Sequence, residues 1–347
     1  MQRVALCLEQ TLGHRAHSKN LEAGTKNSIA PIDVYHVEYP QHRRLPLPWA
    51  LRSSVMAHRM LRSSNRSYGA VLYHTQTVSL LAPWLKGRSK YVVSVDATPV
   101  QMDGLGAWYN HGRAHRLVES LKKRWYQRVY QRASALIAWS EWAAESLVSD
   151  YGADRSHILV AHPGATTSFF DMPRAEPRTR PTILFVGGDW ERKGGPSLLE
   201  AFSKVANRAD LLIVSDAEIA LPTGARQERG IRPGTPNLLA AFAKSDIFCL
   251  PTLGDCTSVA IGEALAAGLP VISTRVGSNA ETIRDGETGL LIDAGDTDAL
   301  AWALVRLVDD SVERARMSSA ARSDARSRFN ADRNAARLFR LLEHVSS

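Results

Sequence analysis

Short apolar segments alternate with amphipathic segments along two long stretches of this chain. In the first stretch, β-branched and aromatic residues predict five strands, at 3–8, 32–37, 70–74, 91–95 and 135–138. Apolar residues at helical spacing predict the helices between them, at 18–22, 49–61, 113–132 and 141–151. Strands and helices that alternate at these lengths predict a parallel sheet covered by helices on both faces.

The same alternation begins again after a proline-rich, charged segment at 171–181. The strands predicted there are 182–186, 211–215, 247–250, 270–273 and 289–292. The predicted helices are 195–207, 237–244, 257–267, 280–285 and 298–308, followed by a last amphipathic helix at 334–344. Because 347 residues exceed one ordinary core, the pattern predicts two α/β domains.

The charge is distributed unevenly between the two halves. Residues 1–170 carry 21 Lys/Arg and 11 Asp/Glu, whereas the remainder carries 22 and 24. The asymmetry favours an anionic partner of the N-terminal half, such as a bilayer surface, a lipid phosphate or nucleic acid, although plain solubility explains it equally well. Three scattered cysteines, a short apolar start and the lack of any membrane-length apolar run predict a cytoplasmic protein, with a peripheral position at the inner face of the membrane as an option.

The segment 251–274 carries the most specific chemistry. Two carboxylates, Asp255 and Glu263, lie on either side of a turn that follows an apolar strand and opens a helix. The first amides of such a helix bind phosphate, and acids beside it accept hydrogen bonds from hydroxyl groups. A diphosphate flanked by polyols is a nucleotide-sugar. The expected cap is Thr257 or Ser258, and the free amides are those of Val259 and Ala260.

This segment resembles the E-x7-E signature of retaining glycosyltransferases of family GT4, with Asp255 replacing the first glutamate and Glu263 matching the second. The flanking segments 245–252 and 276–289 are similar to the same family. The resemblance implies an α/β fold of the GT-B type, in which two Rossmann-like, doubly wound parallel-sheet domains face a deep cleft.

On this resemblance, the chain has four parts. Residues 1–172 form a basic, acceptor-side domain, and 173–180 form a linker. Residues 181–328 form the domain that binds the nucleotide-sugar, and 329–347 form a helix that packs back on the N-terminal domain.

A glycine-rich turn at 187–195 follows the first strand of the second domain. Its Lys193 is positioned to bind a diphosphate oxygen. The family usually carries an arginine five residues earlier, where this chain has Gly188, so either Arg192 supplies a second cation or the site uses one. The plain alternative is a tight turn with a solvated lysine. The resemblance also places Arg232 beside the nucleobase.

Three further positions in the first domain are candidates. Gly13 matches a glycine-containing loop that contacts the donor in the family, with His14 and His17 as a loose basic loop rather than a metal pair. Asp96 ends a central strand where relatives often carry a histidine, and it is expected either to contact the transferred sugar or to cap a loop or helix. His74 is placed similarly, on the acceptor side, with a satisfied core histidine as the alternative.

The predicted helix at 113–132 interleaves cations with aromatic residues, and Trp108 and Tyr109 lie just before it on the acceptor side. Aromatic residues beside cations suit the headgroup layer of a bilayer, and they also suit the stacking of bases or sugars. The plain alternative is a solvated helix whose aromatic residues lie in the core.

The resemblance implies transfer of a hexose-type sugar from a nucleoside-diphosphate sugar, such as a UDP- or GDP-sugar, to a hydroxyl of a glycolipid, polysaccharide or small glycoside, with retention. The expected catalytic residues are Asp255, Lys193 and Asp96. No cofactor, no metal and no specific nucleic acid is expected, because protein groups replace the divalent ion. The alternatives are a GT-B nucleotide-sugar epimerase and an inactive relative with a basic surface for membrane or RNA.

Overall fold

The computed structural model describes residues 2–11, 13–38, 48–84, 89–109, 116–172, 178 and 180–347. It divides into two compact units. Unit 1 comprises Met1–Pro163 and Ala331–Ser347, and unit 2 comprises Gly164–Asn330. Each unit contains a six-stranded sheet in which every pair of neighbouring strands is parallel, which confirms the predicted α/β class.

Unit 1 begins with alternating strands and helices. Its strands are β1 (Val4–Glu9), β2 (Ile32–Val37), β3 (Ala70–Tyr73), β4 (Lys90–Val95), β5 (Ala135–Ala138) and β6 (Ile158–Val160). Its helices up to that point are α1 (His14–Gly24), α2 (Trp49–Ser63), α3 (Pro99–Gly104), α4 (Gly106–Tyr109), α5 (Arg116–Gln131) and α6 (Glu141–Ser149). The sheet order is β2-β1-β3-β4-β5-β6.

Unit 2 follows the same plan. Its strands are β7 (Thr182–Val186), β8 (Asp210–Val214), β9 (Ala225–Glu228), β10 (Ile247–Leu250), β11 (Val271–Thr274) and β12 (Gly289–Ile292), in the order β12-β11-β10-β7-β8-β9. Its helices are α7 (Thr167–Phe170), α8 (Gly195–Phe202), α9 (Pro236–Ala243), α10 (Val259–Ala267), α11 (Asn279–Thr282), α12 (Thr297–Asp309) and α13 (Ser311–Arg328).

The sheet of unit 1 is buried on both faces, because successive residues of a strand point to opposite sides. Along β1, Ala5 and Cys7 pack in one apolar cluster with residues of α2, α5 and α6. Leu6 and Leu8 pack in a second cluster with Leu21 of α1 and with the last helix of the chain, α14 (Ala331–Ser346). The helix at the C-terminal end therefore completes the core of the N-terminal unit.

The strand orders place a reversal point in each sheet. In unit 2 the chain runs from β7 to β8 and β9 on one side and then returns to β10 on the other, so β7 and β10 are neighbours. In unit 1 the corresponding neighbours are β1 and β3. Ligands of open α/β sheets bind outside the carboxyl ends of the strands at such points.

The structure differs from the sequence pattern at the border between the units. Residues 164–172, which the pattern places in the first domain, pack in unit 2, where Phe169, Phe170 and Met172 join the apolar core. Of the predicted linker at 173–180, only residues 178 and 180 lie within the described residues.

Six helices and strands were not predicted from the sequence. These are the strands β6 and β9 and the helices α3, α4, α7 and α13. Helix α13 is rich in Arg and Ser, and its buried apolar residues are only Met317, Ala321 and Ala325, so it lacks the wide apolar stripe by which a surface helix is recognised. Within the described residues, no helix has the length and apolar character needed to cross a bilayer.

Candidate functional site

Three loops of unit 2 meet at the carboxyl ends of the neighbouring strands β11, β10 and β7. The loop after β7 lies on the loop after β10, since the amide of Leu253 donates to the carbonyl of Arg192 at 2.8 Å. The loop after β11 lies on the same segment, since the amide of Ser278 donates to the carbonyl of Cys256 at 2.9 Å. The loops thus form one hydrogen-bonded group at the reversal point.

Two glycines allow this close approach. Gly194 has φ +77° and Gly277 has φ +57°, a region that side-chain-bearing residues rarely adopt. A Cβ atom at Gly194 would overlap the carbonyl oxygen of Pro251, and one at Gly277 would overlap that of Asp255. Glycine is therefore required at both positions for the loops to come together.

The structure brings Lys193 and Asp255 together as a direct ion pair between the ammonium Nζ and the carboxylate Oδ2. Both side chains are largely buried, at 14% and 10% exposure, so solvent screens the pair weakly. An ammonium has three N–H donors, which leaves donors of Lys193 for an incoming anion.

Arg192 is engaged in hydrogen bonds within the protein next to this ion pair, so it is not a second cation open to a ligand. Its Nη1 donates to the carbonyl of Gly254 at 2.6 Å, and its Nε donates to Asp189 at 3.0 Å. The same Nη1 lies 4.0 Å from Asp255 Oδ1. Because Arg192 is buried and holds the segment before Asp255, its geometry is that of a positioning residue.

The N-terminus of α10 lies next to the ion pair in the sequence. Ser258 occupies the N-cap, as predicted, but its side chain makes no capping hydrogen bond. In the described part of the chain, the amides of Val259 and Ala260 find no acceptor. Unpaired amides and the helix dipole together make this end of the nine-residue helix suitable for a phosphate.

Glu263 lies one turn further along α10 and is 92% buried, with 8% exposure. No described residue donates a hydrogen bond to its carboxyl group. Burial raises the pKa of Glu263 to about 8. An ionised carboxyl that is buried without a partner is costly, so burial favours the neutral form of Glu263 in the ligand-free protein.

The loop after β9 contains the remaining unit 2 candidate, Arg232. Its guanidinium is exposed and forms an ion pair with Asp216 at 2.6 Å. Asp216 also accepts from the amide of Gly230 at 2.7 Å, and these bonds lower the pKa of that carboxyl. Arg232 therefore joins the loop after β9 to the loop after β8, where Asp216 lies. Gly188, in contrast, has open space around it and needs no glycine for steric reasons.

Unit 1 carries a second polar cluster, at the carboxyl ends of β1 and β4. His14 Nε2 lies 3.0 Å from Asp96 Oδ2, and its Nδ1 lies 3.4 Å from Glu9 Oε1. Glu9 also accepts hydrogen bonds from the hydroxyls of Thr11 and Thr75. Burial opposes the charged imidazole, but the two carboxylates outweigh it and raise the pKa of His14 to about 10.

This cluster fixes the loop that contains Gly13, because α1 starts at His14 and Gly13 is its N-cap. Asp96, expected at the sugar or at a cap, is instead 8% exposed and paired with His14. Burial raises the pKa of the Glu9 and Asp96 carboxyls, but the His14 charge dominates and holds both below their ordinary range.

Two neutral histidines, His17 and His74, pack next to the cluster. His17 stacks on His74 with the ring centroids 5.1 Å apart, and the Trp139 ring lies 4.4 Å from His17. Burial, with the His14 charge nearby, lowers the pKa of His17 to about 3 and that of His74 well below its ordinary value. His74 is fully buried, but neither of its ring nitrogens has a hydrogen-bond partner among the described residues, so it is a core histidine without the satisfied hydrogen bonds that the alternative expected.

Sequence reasoning missed Glu9 and Trp139. Glu9 ends the buried strand β1, which lies next to β3, and Trp139 follows the buried strand β5, which lies next to β4. Because ligands of such sheets bind at the carboxyl ends of the strands, these two positions could have been predicted.

Of the two aromatic acceptor-side candidates, Trp108 lies on α4 and is 39% exposed, whereas the side chain of Tyr109 is outside the described part of the structure. No group of three or more His, Cys, Asp or Glu in the described residues is arranged to hold a metal ion.

The fold and the two reversal-point sites define the GT-B class of α/β proteins. Two family models match this chain: Glycosyltransferase Family 4 over residues 5–169 and Glycosyl transferases group 1 over residues 180–310. The chain belongs to the group 1 glycosyltransferases of family GT4.

Curated relatives agree with this assignment. The D-inositol 3-phosphate glycosyltransferase of Paenarthrobacter aurescens (strain TC1) is 31% identical over 234 residues, which are 60% of this chain and 57% of the relative. The phosphatidyl-myo-inositol mannosyltransferase of Mycobacterium leprae (strain TN) is 28% identical over 248 residues, 66% of this chain and 63% of the relative. The matches thus span less than two thirds of the relatives' lengths.

Solved structures share the fold over almost the whole chain. Sucrose-phosphate synthase from Thermosynechococcus elongatus superimposes with a TM-score of 0.77 at 15% identity and covers 99% of both chains. Anabaena HepE in complex with UDP-glucose gives a TM-score of 0.71 at 15% identity and covers 99% of this chain and 100% of its own. At this identity the likeness concerns the fold alone.

Proposed function

We propose that this protein is a retaining glycosyltransferase that uses a nucleoside-diphosphate sugar as donor. The observation that carries the proposal is the set of unpaired amides at Val259 and Ala260, flanked by the Lys193–Asp255 ion pair and by the unpartnered carboxyl of Glu263. A diphosphate fits the amides and the ammonium, and the acids fit hydroxyl groups. The UDP-glucose bound to HepE supports this choice of donor.

In the proposed reaction, the bond between the sugar C1 and the β-phosphate oxygen breaks, a bond from C1 to the acceptor oxygen forms, and the proton of the acceptor hydroxyl passes to the leaving diphosphate. Negative charge grows on the leaving diphosphate. The amides at the start of α10 and the free donors of Lys193 meet that charge in a weakly hydrated position. Glu263 binds the ribose hydroxyls, and Asp255 binds hydroxyls of the transferred hexose while it holds Lys193 in place.

The acceptor side is assigned to unit 1. Its Glu9–His14–Asp96 cluster is buried, so these residues position the Gly13 loop rather than bind the acceptor themselves. The two relatives carry inositol phosphate or phosphatidylinositol in their names, and residues 1–170 have a large excess of cations. We therefore propose a phosphate-bearing or lipid-linked polyol as the acceptor class.

The test is a thermal-shift screen against UDP- and GDP-sugars, followed by product analysis with inositol phosphate and phosphatidylinositol as acceptors. We expect one donor to raise the midpoint of thermal unfolding. The same donor should give a glycosylated acceptor in which the sugar keeps the anomeric configuration that it has in the donor. Activity that persists in EDTA would support a reaction without a metal. Conversion of the donor with no acceptor would indicate the epimerase, and no shift with any donor would contradict the donor site.

A further inference from the structure

Helix α5 exposes a face that combines apolar side chains with cations. Its buried side chains, Tyr126, Val129 and Tyr130, pack in the core of unit 1. The opposite side, hereafter the α5 face, follows helical spacing and consists of Leu117, Leu121, Arg124, Trp125 and Arg128, together with Arg132 directly after the helix. A groove of about 540 Å³ lies along it, lined by Leu121, Trp125 and the three arginines among others.

The apolar residues of this face are unusually open to solvent. Leu117 is 69% exposed, Leu121 is 65% exposed and Trp125 is 42% exposed. The Trp125 ring packs at a tilt against the ring of Trp84, with the ring centroids 4.8 Å apart, and Trp84 is itself 45% exposed. Two leucines and two tryptophans on one face form a contiguous apolar patch, and such patches mark interaction sites in soluble proteins.

The cations of the same face lack acidic partners. Within the described residues, Arg124, Arg128 and Arg132 form no ion pair. Glu119 is the one acidic residue in the sequence of α5, and it pairs at 3.4 Å with Lys122, which also binds Asp103 at 3.1 Å. The exposed side of the helix is therefore positive and carries no acid.

We propose that the α5 face docks this protein on the surface of a bilayer that contains anionic phospholipids. The arginines bind the headgroup phosphates, the tryptophans lie at headgroup level, and the two leucines enter the acyl boundary. A nucleic acid would use the arginines and stack on the tryptophans, but it would leave Leu117 and Leu121 in water. The exposed leucines are thus what favours a lipid surface over a polyanion.

Co-sedimentation with vesicles tests this directly, without any nucleotide-sugar and therefore independently of the proposed reaction. We expect the full chain to sediment with vesicles of phosphatidylcholine containing 30 mol% phosphatidylglycerol and not with phosphatidylcholine alone. The double variant Arg124→Gln/Arg128→Gln is expected to bind at least tenfold more weakly, since each charge near an anionic surface contributes about a fivefold factor in affinity. The variant Leu117→Gln/Leu121→Gln is expected to bind weakly although its charge is unchanged.

Two matched variants control for total charge and for the loss of apolar surface. Arg337→Gln/Arg340→Gln removes the same charge from exposed positions of α14, and Val312→Gln removes a 79% exposed apolar side chain from α13. Both should bind vesicles like the wild type. If these controls lose as much binding as the α5 variants, or if the leucine variant keeps full binding while a single-stranded RNA oligonucleotide competes with the vesicles, the bilayer proposal is overturned.

Discussion

Because the pKa of Glu263 is raised, binding of the donor should release a measurable fraction of a proton. With a pKa of about 8, the carboxyl group is about 0.9 protonated at pH 7 in the ligand-free protein. Ribose hydroxyls donate more strongly to the carboxylate than to the neutral carboxyl, so binding pulls the pKa of Glu263 back toward the ordinary 4.5. Binding of a nucleoside diphosphate at pH 7 should therefore release about 0.9 proton from this residue.

The same linkage sets the dependence of affinity on pH. The fraction of Glu263 that is ready to accept rises from about 0.1 at pH 7 to about one half at pH 8, so the wild-type affinity should rise about fivefold over that interval. Glu263→Gln has no carboxyl to ionise. It should show no such rise, and well above pH 8, where the wild-type carboxyl is ionised, it should bind roughly 10–100-fold more weakly because hydrogen bonds to a charged group contribute about 1.5–3 kcal/mol.

Calorimetric titration at pH 7 in buffers of low and high ionisation enthalpy measures the released protons. The nucleoside diphosphate loses part of a proton of its own, so the relevant quantity is the difference between wild type and Glu263→Gln. Glu200→Gln, at an exposed position of α8, is the matched control and should behave like the wild type. Equal proton release and equal affinity in wild type and Glu263→Gln would refute the assignment of this residue to the ribose.

Three further predictions concern the loops and the unit 1 cluster. Lys193→Ala should lower turnover by on the order of 10²–10³ with an unchanged circular dichroism spectrum, and wild-type turnover would remove this residue from the site. Gly194→Ala should lower the thermal midpoint strongly, because φ is +77° and the new Cβ meets Pro251, whereas Gly188→Ala in open space should leave it unchanged. His14 has a folded-state pKa above its ordinary 6.5, so its ion pairs stabilise the protein fully below pH 6.5 and are lost as the pH rises toward 10. Urea unfolding of wild type and His14→Gln should show a stability difference that shrinks over that range, and a constant difference would contradict the ion-pair account.

Much of the fold could be predicted because short apolar strands and amphipathic helices have different periods. The strands that line both sites, β1, β3, β4, β7, β10 and β11, were all predicted. The short strand β9 was missed because its sequence, Ala225–Glu228, is polar and only partly buried. The border between the units was misplaced because the prediction set it at the proline-rich, charged segment 171–181, while the burial of Phe169 and Phe170 in unit 2 depends on contacts that no local pattern shows.

The candidate site was predictable only where one segment carries it. Asp255, Ser258 and Glu263 lie within nine positions of one another, so the turn and helix that join them are visible in the sequence. The pairing of Lys193 with Asp255 spans 62 positions, and that of His14 with Asp96 spans 82. Such partners become neighbours through the order of strands in the sheet, which the spacing of residues does not reveal.

Unit 1 is discontinuous along the chain, and this affects the order in which the protein can form during synthesis. The patch on β1, β3 and α1 that receives Leu338, Phe339 and Leu342 stays uncovered until α14 has been made, after all of unit 2. Unit 2, in contrast, is one continuous segment and can close its core earlier. A nascent chain halted before residue 331 should therefore hold a folded second unit beside an unfinished first one, and that first unit would be the part that chaperones and proteases recognise.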